Sequence, residues 1–399
     1  MLQTKLDRLI RIGRLSVIWP NGALAHFGDL TTADLDVVVR VRTYIAAAKI
    51  AARPHFYLGE AYASGDLTIE RGSLGDLLAL LGRNLALRPM RSPGFVRRLE
   101  QSALAGLLQR NSQRSARRNV ARHYDFSERL YRAFLDNDLQ YSCAYFARPG
   151  MTLEEAQLAK RRHVAAKLLL RPGVRVLDIG CGFGGLALHL ARTEKVEVVG
   201  VTLSSEQLKV ARRRADQEGL EKRVHFELAD YRALSGVFDR IVSVGMFEHV
   251  GKPQYRDFFA AVGRLLDRRG VALLHSIGRM HGPGLTSAWI RRRIFPGGYI
   301  PALSEVVPAI ERSGLWLTDL EVLRLHYAET LRCWRERFLA NRPSLADLYD
   351  DRFCRMWEFY LAASEMSFRY AGFMVFQAQL THEVGAAPLT RDYMSATEH

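Results

Sequence analysis

The sequence predicts an α/β protein: a doubly wound, mainly parallel sheet preceded by a smaller amino-terminal α+β domain. Three observations carry this. Strand-like apolar runs at 174–179, 196–203, 224–228, 240–244 and 271–276 alternate with helical patterns such as 205–218 and 255–266, and that alternation builds parallel sheets. The first of these runs leads directly into Gly180, Gly182, Gly184 and Gly185, with a helical pattern from Leu186. At 399 residues the chain has the length for two domains and a sizeable core.

Residues 1–90 read as the smaller domain. An apolar strand within 13–27, with Pro20, Asn21 and Gly22 at its turn, reads as a hairpin. Residues 58–69 read as turn-rich, and 74–87 as an apolar helix. Residues 88–94, with Pro89 and Pro93, mark a boundary. A basic linker follows over 91–120, where Arg91, Arg97, Arg98, Arg110, Arg114, Arg117 and Arg118 face one acid, Glu100. Phe95, Leu99 and Leu107 fall near helical spacing there, and a basic amphipathic helix suits an anionic bilayer. The larger domain spans 121–399. Its late apolar stretch, 357–380, is interrupted by Glu358, Glu365 and Arg369. It reads as a core or interface helix rather than a membrane span.

Composition bounds the partners. Net charge is +15, from 57 basic and 42 acidic residues. That balance implies nucleic acid or an anionic membrane surface. Four scattered cysteines without a C-x-x-C pair argue against a metal site and a disulfide framework. Lys5, Asp7 and Arg8 within the first ten residues argue against a secretory leader, so a cytoplasmic location is expected.

The glycine turn is the chemical clue. Glycine permits φ > 0 and lets a ligand lie against bare backbone, and α/β sheets bind ligands at the carboxyl ends of their strands. The spacing overlaps the dinucleotide fingerprint only loosely. A nicotinamide site wants an acid at the end of the second strand to hold a ribose, and that strand ends at Thr202. Asp178 stands instead on the first strand, just before the turn. This resembles class I S-adenosylmethionine methyltransferases, whose sheet is Rossmann-like.

Further polar groups gather at the same edge. The fourth strand ends near Glu248 and His249, and the fifth carries His275. The Asn/Asp-Pro-Pro-aromatic motif of adenine amino-group methyltransferases is absent after the fourth strand. Upstream lie His123-Tyr124-Asp125 and Tyr141-Ser142-Cys143-Ala144-Tyr145-Phe146. These motifs, with Leu177–Gly182, Val201–Ser204, Phe247–Gly251, His275–Gly278, Tyr327–Trp334 and Phe368–Phe373, occur in an order that resembles the cyclopropane-fatty-acyl-phospholipid synthase family. The resemblance is strong over about 120–385. It extends to the mycolic-acid branch, which lacks an amino-terminal domain.

The resemblance implies methyl transfer from S-adenosylmethionine to a cis double bond in an acyl chain of a membrane phospholipid. Loss of one proton from the resulting carbocation closes a cyclopropane ring. Bicarbonate is the implied base, with Cys143, Glu248, His275, the backbone of Ile277, and Tyr327 as its holders. Tyr141, Ser142, Asp178, Gly180, Gly182, Thr202 and Gln207 match the cofactor contacts, and Asp230 and Tyr231 flank the adenine. A homodimer, peripherally bound to the inner face of the cell membrane and without a nucleic-acid partner, completes the expectation. The chemistry suits these residue types. An alkene is a weak nucleophile and needs a dry, oriented site. Aromatic faces stabilise a cation without attacking it, and a base must stand close to take the proton. Three alternatives stay open on the residues alone: a sister enzyme adding a methyl or methylene branch, an RNA methyltransferase, and a non-catalytic lipid-binding module. RNA readers expose stacking aromatics in basic grooves, whereas the motif aromatics here cluster at the cofactor edge.

Overall fold

The computed structural model describes residues 1–29, 34–87 and 126–395. The chain forms two compact units. The basic linker and His123-Tyr124-Asp125 lie outside the described residues.

The smaller unit comprises the described residues of Met1–Gly94 with Ser287–Ile294 and Ala328–Phe373. It is therefore discontinuous in sequence: its first segment ends close to residue 90, and two later segments join it. Its sheet contains β1 (Arg14–Ile18), β2 (Leu24–Gly28), β3 (Asp36–Val41) and β4 (Leu67–Arg71), in the order β2-β1-β3-β4. The expected hairpin is β1–β2, paired antiparallel. Residues 58–69 are not mainly turn: a helix covers Pro54–Ser64, opened by Pro54 and closed by Gly65 in the left-handed conformation (φ 78°). The apolar helix is Leu74–Ala86, begun by a capping box between Ser73 and Asp76. Late residues complete this unit's core. Gly59 lies flush against Trp289 and Phe359: a Cβ there would fall 2.8 Å and 2.7 Å from their rings. Tyr62 donates a buried hydrogen bond to Glu358 (2.8 Å).

The larger unit comprises the described residues of Phe95–Thr286 and Met374–His399, with Phe295–Tyr327. Its strands are β5 (Arg175–Ile179), β6 (Glu197–Thr202), β7 (Val224–Leu228), β8 (Phe238–Val244), β9 (Leu266–Arg279), β10 (Trp316–Leu323) and β11 (Phe373–Thr381), in the order β10-β11-β9-β8-β5-β6-β7. The pairs β5–β6, β6–β7, β5–β8 and β8–β9 are parallel, and β10–β11 is antiparallel. The doubly wound expectation holds, with four strands near their expected limits, the fifth (β9) longer than the expected 271–276, and two more added. The run read as one helix over 357–380 is two elements. A helix covers Asp351–Tyr370, Gly372 turns the chain at φ 65°, and β11 follows. An all-apolar run suits a central strand as well as a buried helix, so periodicity does not separate them. No helix among the described residues is long and apolar enough to cross a membrane.

Alternation along β5 explains the layering. Val176 packs in a cluster with Val164, Leu190, Val198 and Phe226, while Leu177 and Ile179 pack with Ile241, Phe258, Phe259 and Phe376. Successive strand side chains point to opposite faces, so beyond the exposed Arg175 at its start the strand is apolar and buried on both sides. The exception is Asp178, 2% exposed, at the carboxyl end.

Candidate active site

The site is built from strand ends. After β5, Gly180, Gly182 and Gly184 all have positive φ (86°, 56° and 81°), and the helix Gly185–Thr193 starts from this turn. After β6, Ser204 accepts from the Gln207 amide (3.2 Å) and starts the helix Ser205–Glu218. The Thr202 hydroxyl donates to Gln207 Oε1 (3.1 Å). After β7, Asp230 pairs with Arg232 through two hydrogen bonds of 2.9 and 2.6 Å. Tyr231 meets Phe258 edge-on at 5.4 Å.

One cleft unites these ends. It encloses about 1160 Å³ of empty space, its mouth included, and Tyr141, Ser142, Asp178, Gly180, Gly182, Thr202, Gln207, Asp230 and Tyr231 all line it. All nine residues matched to cofactor contacts are thus brought together. Of the five matched to the base, none lines this cleft, although Cys143 directly follows its wall residue Ser142, and Glu248 stands between the wall residues Met246 and His249.

The cleft fits S-adenosylmethionine on its own features. Asp178 Oδ2 is buried without a hydrogen-bond partner, an acceptor held ready for a donor. A Cβ on Gly182 would find no protein atom nearer than Gln207 Nε2 at 3.9 Å, so the bare backbone there faces open space. Burial raises Asp178 to about 7, against the pull of nearby Lys160.

A second, drier group lies beside the cleft. The register pairs Val244 of β8 with His275 of β9. This brings the residues following β8 level with those following His275. Glu248 Oε1 accepts from the Ile277 amide at 2.6 Å, so that amide is engaged by the carboxylate. Glu248 Oε2 and His275 Nε2 are buried without partners. Burial raises Glu248 to about 7, against the Ile277 hydrogen bond. Burial, then the charges of Lys160 and Lys167, lower His275 to about 3. The Cys143 thiol, 1% exposed, donates to the Ala144 carbonyl (3.3 Å). Tyr327 is buried at the start of the helix His326–Asn341. Its neighbour His326 stacks on Tyr145 at 4.9 Å and accepts from the Phe146 amide (3.0 Å). That ties the start of this helix to the Tyr141–Phe146 stretch.

Three residues were not singled out from the sequence. Lys160, fully buried, donates to Gln140 Oε1 and to Ser142 Oγ (3.0 Å), and burial lowers it to about 8. Gln157 donates to the Ser142 carbonyl (3.0 Å). Both come from the helix Leu153–Lys167, which begins with a capping box at Thr152 and Glu155. They hold the cleft wall at 140–142 from behind. The available signal was their place on the inward stripe with Val164 and Lys167. Gln377, on β11, bonds His275 and gave no local signal at all.

The comparisons agree with this geometry. The family model described as mycolic acid cyclopropane synthetase matches residues 111–378. The chain is 44% identical over 262 residues to the cyclopropane-fatty-acyl-phospholipid synthase of Escherichia coli, covering 66% of this chain and 67% of that protein. It is 41% identical over 286 residues to the tuberculostearic acid methyltransferase UfaA1 of Mycobacterium tuberculosis, covering 68% and 67%. The solved structure of mycolic acid cyclopropane synthase CmaA1, complexed with SAH and CTAB, superposes with a TM-score of 0.63 at 35% identity, over 66% of this chain and 97% of that one. Family match, sheet and cleft converge: the chain belongs to the mycolic acid cyclopropane synthetase family and is an S-adenosylmethionine-dependent methyltransferase with a class I fold.

Proposed function

We propose that this enzyme cyclopropanates cis-unsaturated acyl chains of membrane phospholipids. The observation that carries the reading is the buried pair Glu248 and His275, each with one polar atom unpartnered, next to the cleft. Unpartnered buried polar atoms are costly, and here they accompany the perturbed protonation that marks chemical sites.

The cleft would hold S-adenosylmethionine, whose methyl would pass to one carbon of the double bond as the S–methyl bond breaks and S-adenosylhomocysteine departs, so that positive charge would develop on the other carbon. Gly180, Gly182, Thr202 and Gln207 bind the cofactor, Asp230 and Tyr231 flank its adenine, and Tyr141 and Ser142 orient its reacting end. Lys160 and Gln157 keep that wall fixed, which matters because reaction needs in-line placement. Glu248, His275, Cys143 and Tyr327 hold a small anion, bicarbonate, as base, and the Ile277 backbone contributes through Glu248, to which its amide is bonded. A carboxyl with a pKa near 7 is protonated for part of the time at neutral pH, so Glu248 can donate to that anion instead of repelling it. Proton loss from the added methyl then leaves its electron pair to form the third ring bond. The Ile277 amide keeps Glu248 in place for this role.

Methyl branching is the second reading, favoured by the 41% identity to a tuberculostearic acid methyltransferase. The same cation would then take a different exit. Expression in a host lacking the activity, followed by proton NMR of extracted lipid, separates the two. Ring protons appear at unusually high field, and a methyl or methylene branch lacks that signal. Absence of every new acyl signal would sink both readings.

Membrane access is the remaining part of the proposal. Residues 1–120 hold 18 Lys and Arg against 9 Asp and Glu. We assign this basic portion, linker included, to docking on an anionic inner leaflet, with the enzyme working as a peripheral homodimer.

A further inference from the structure

We propose that Gln377 is a positioning residue that fixes the tautomer of His275, so that the imidazole presents an N–H, not a lone pair, to the anion beside Glu248. This rests on the reading of that site given above.

Gln377 lies on β11, adjacent to β9, and both it and His275 are buried (0% and 2% exposed). Its Nε2 stands 3.0 Å from His275 Nδ1. An amide nitrogen can only donate, so Nδ1 accepts. A neutral imidazole carries one proton, and it then resides on Nε2. Burial and the charges of Lys160 and Lys167 keep this ring neutral. Nε2 has no protein partner, so its proton is unspent. With the carboxamide turned over, Oε1 would accept from Nδ1–H and a lone pair on Nε2 would face the anion. Only one orientation suits an anionic occupant: the one that sets Gln377 Nε2 against Nδ1, which leaves Gln377 Oε1 buried without a partner. The two strands pack closely beside this bond. A Cβ on Gly278, further along β9, would lie 2.9 Å from Phe376, so the two strands are in close contact next to the bond.

The test is nitrogen-15 NMR of the full chain with labelled histidine, the His275 signals being identified by their loss in His275→Gln. The wild type should show an unprotonated Nδ1, far downfield, and a protonated Nε2. Gln377→Glu keeps the side chain's shape and, once ionised, only accepts; measured at alkaline pH, where the buried carboxyl is charged, it should move the proton to Nδ1 and cut turnover by about 10-fold or more, with S-adenosylhomocysteine affinity within about twofold by calorimetry. Gln377→Met has neither donor nor acceptor and should give a tautomer mixture, so it serves if the Glu variant does not fold. A wild-type ring protonated on Nδ1, or a tautomer unmoved in Gln377→Glu, overturns the proposal. Turnover independent of bicarbonate, with the expected tautomer and its expected shift, upholds Gln377 and removes the ion instead.

Discussion

Two glycines two residues apart should fail in opposite ways. Gly182 and Gly184 both have positive φ (56° and 81°), so alanine at either one bears the left-handed penalty, about 1–2 kcal/mol. Their surroundings differ. At Gly184 a Cβ would lie 2.7 Å from Phe226 Cζ and 3.0 Å from Ala211 Cβ, both in one packed core. Overpacking of that kind costs about 1–3 kcal/mol more, so Gly184→Ala should lose about 2–5 kcal/mol of stability. At Gly182 the nearest atom is 3.9 Å away, so only the backbone penalty of about 1–2 kcal/mol applies. There the new methyl projects into the cleft. Urea denaturation measures the first effect, and calorimetry with S-adenosylhomocysteine the second. Gly182→Ala should remain folded and bind at least about tenfold more weakly, a loss of roughly 1.4 kcal/mol. A folded Gly182→Ala variant with wild-type affinity would show that the ligand does not lie on this turn. Gly184→Ala as stable as the wild type would refute the packing argument.

Glu248→Gln, His275→Ala and Tyr327→Phe should each lower turnover far more than cofactor affinity, with Cys143→Ser milder because a thiol there packs and makes a weak hydrogen bond; full activity in all three, independent of bicarbonate, would remove the proposed base. Stability against pH should separate Glu248→Gln from the wild type. A carboxyl raised from its ordinary 4.5 to about 7 stabilises the fold fully below 4.5, and that contribution is lost as pH rises through 7. The variant should therefore gain on the wild type by on the order of 3 kcal/mol between pH 4 and pH 8, while Asp178, present in both, cancels; parallel stability curves would contradict the burial argument. Replacing several of the linker arginines together should weaken binding to anionic vesicles by orders of magnitude at low salt, since each contributes on the order of 1 kcal/mol and salt screens it. Equal sedimentation with neutral vesicles would favour apolar insertion instead.

Much of the catalytic edge was legible in the chain. Positive φ at Gly180, Gly182 and Gly184 is a local demand that glycine announces. The helix Ser205–Glu218 is bounded by Ser204 and Gly219, both local signals. Strands β5, β6, β8 and β9 stood out because a sheet covered on both faces needs largely apolar runs, whereas β7, at the sheet edge, alternates buried and exposed positions over Val224–Glu227. The sequence order of motifs determined the family before any contact was known. What tertiary structure decided is everything that depends on pairing across distance. Whether 373–381 is helix or strand depends on β9 and β10 as neighbours, not on its own apolar pattern. Tyr62 finds Glu358 across 296 positions, so the smaller unit could not be bounded by reading forward from residue 1. Lys160 looks like a surface lysine until Gln140 and Ser142 close over it. The tautomer of His275 is set by a glutamine 102 residues away. A side chain's propensity is carried by its own chemistry, whereas its partner, and with it the proton it holds, is chosen by the register of strands that meet only in the folded protein.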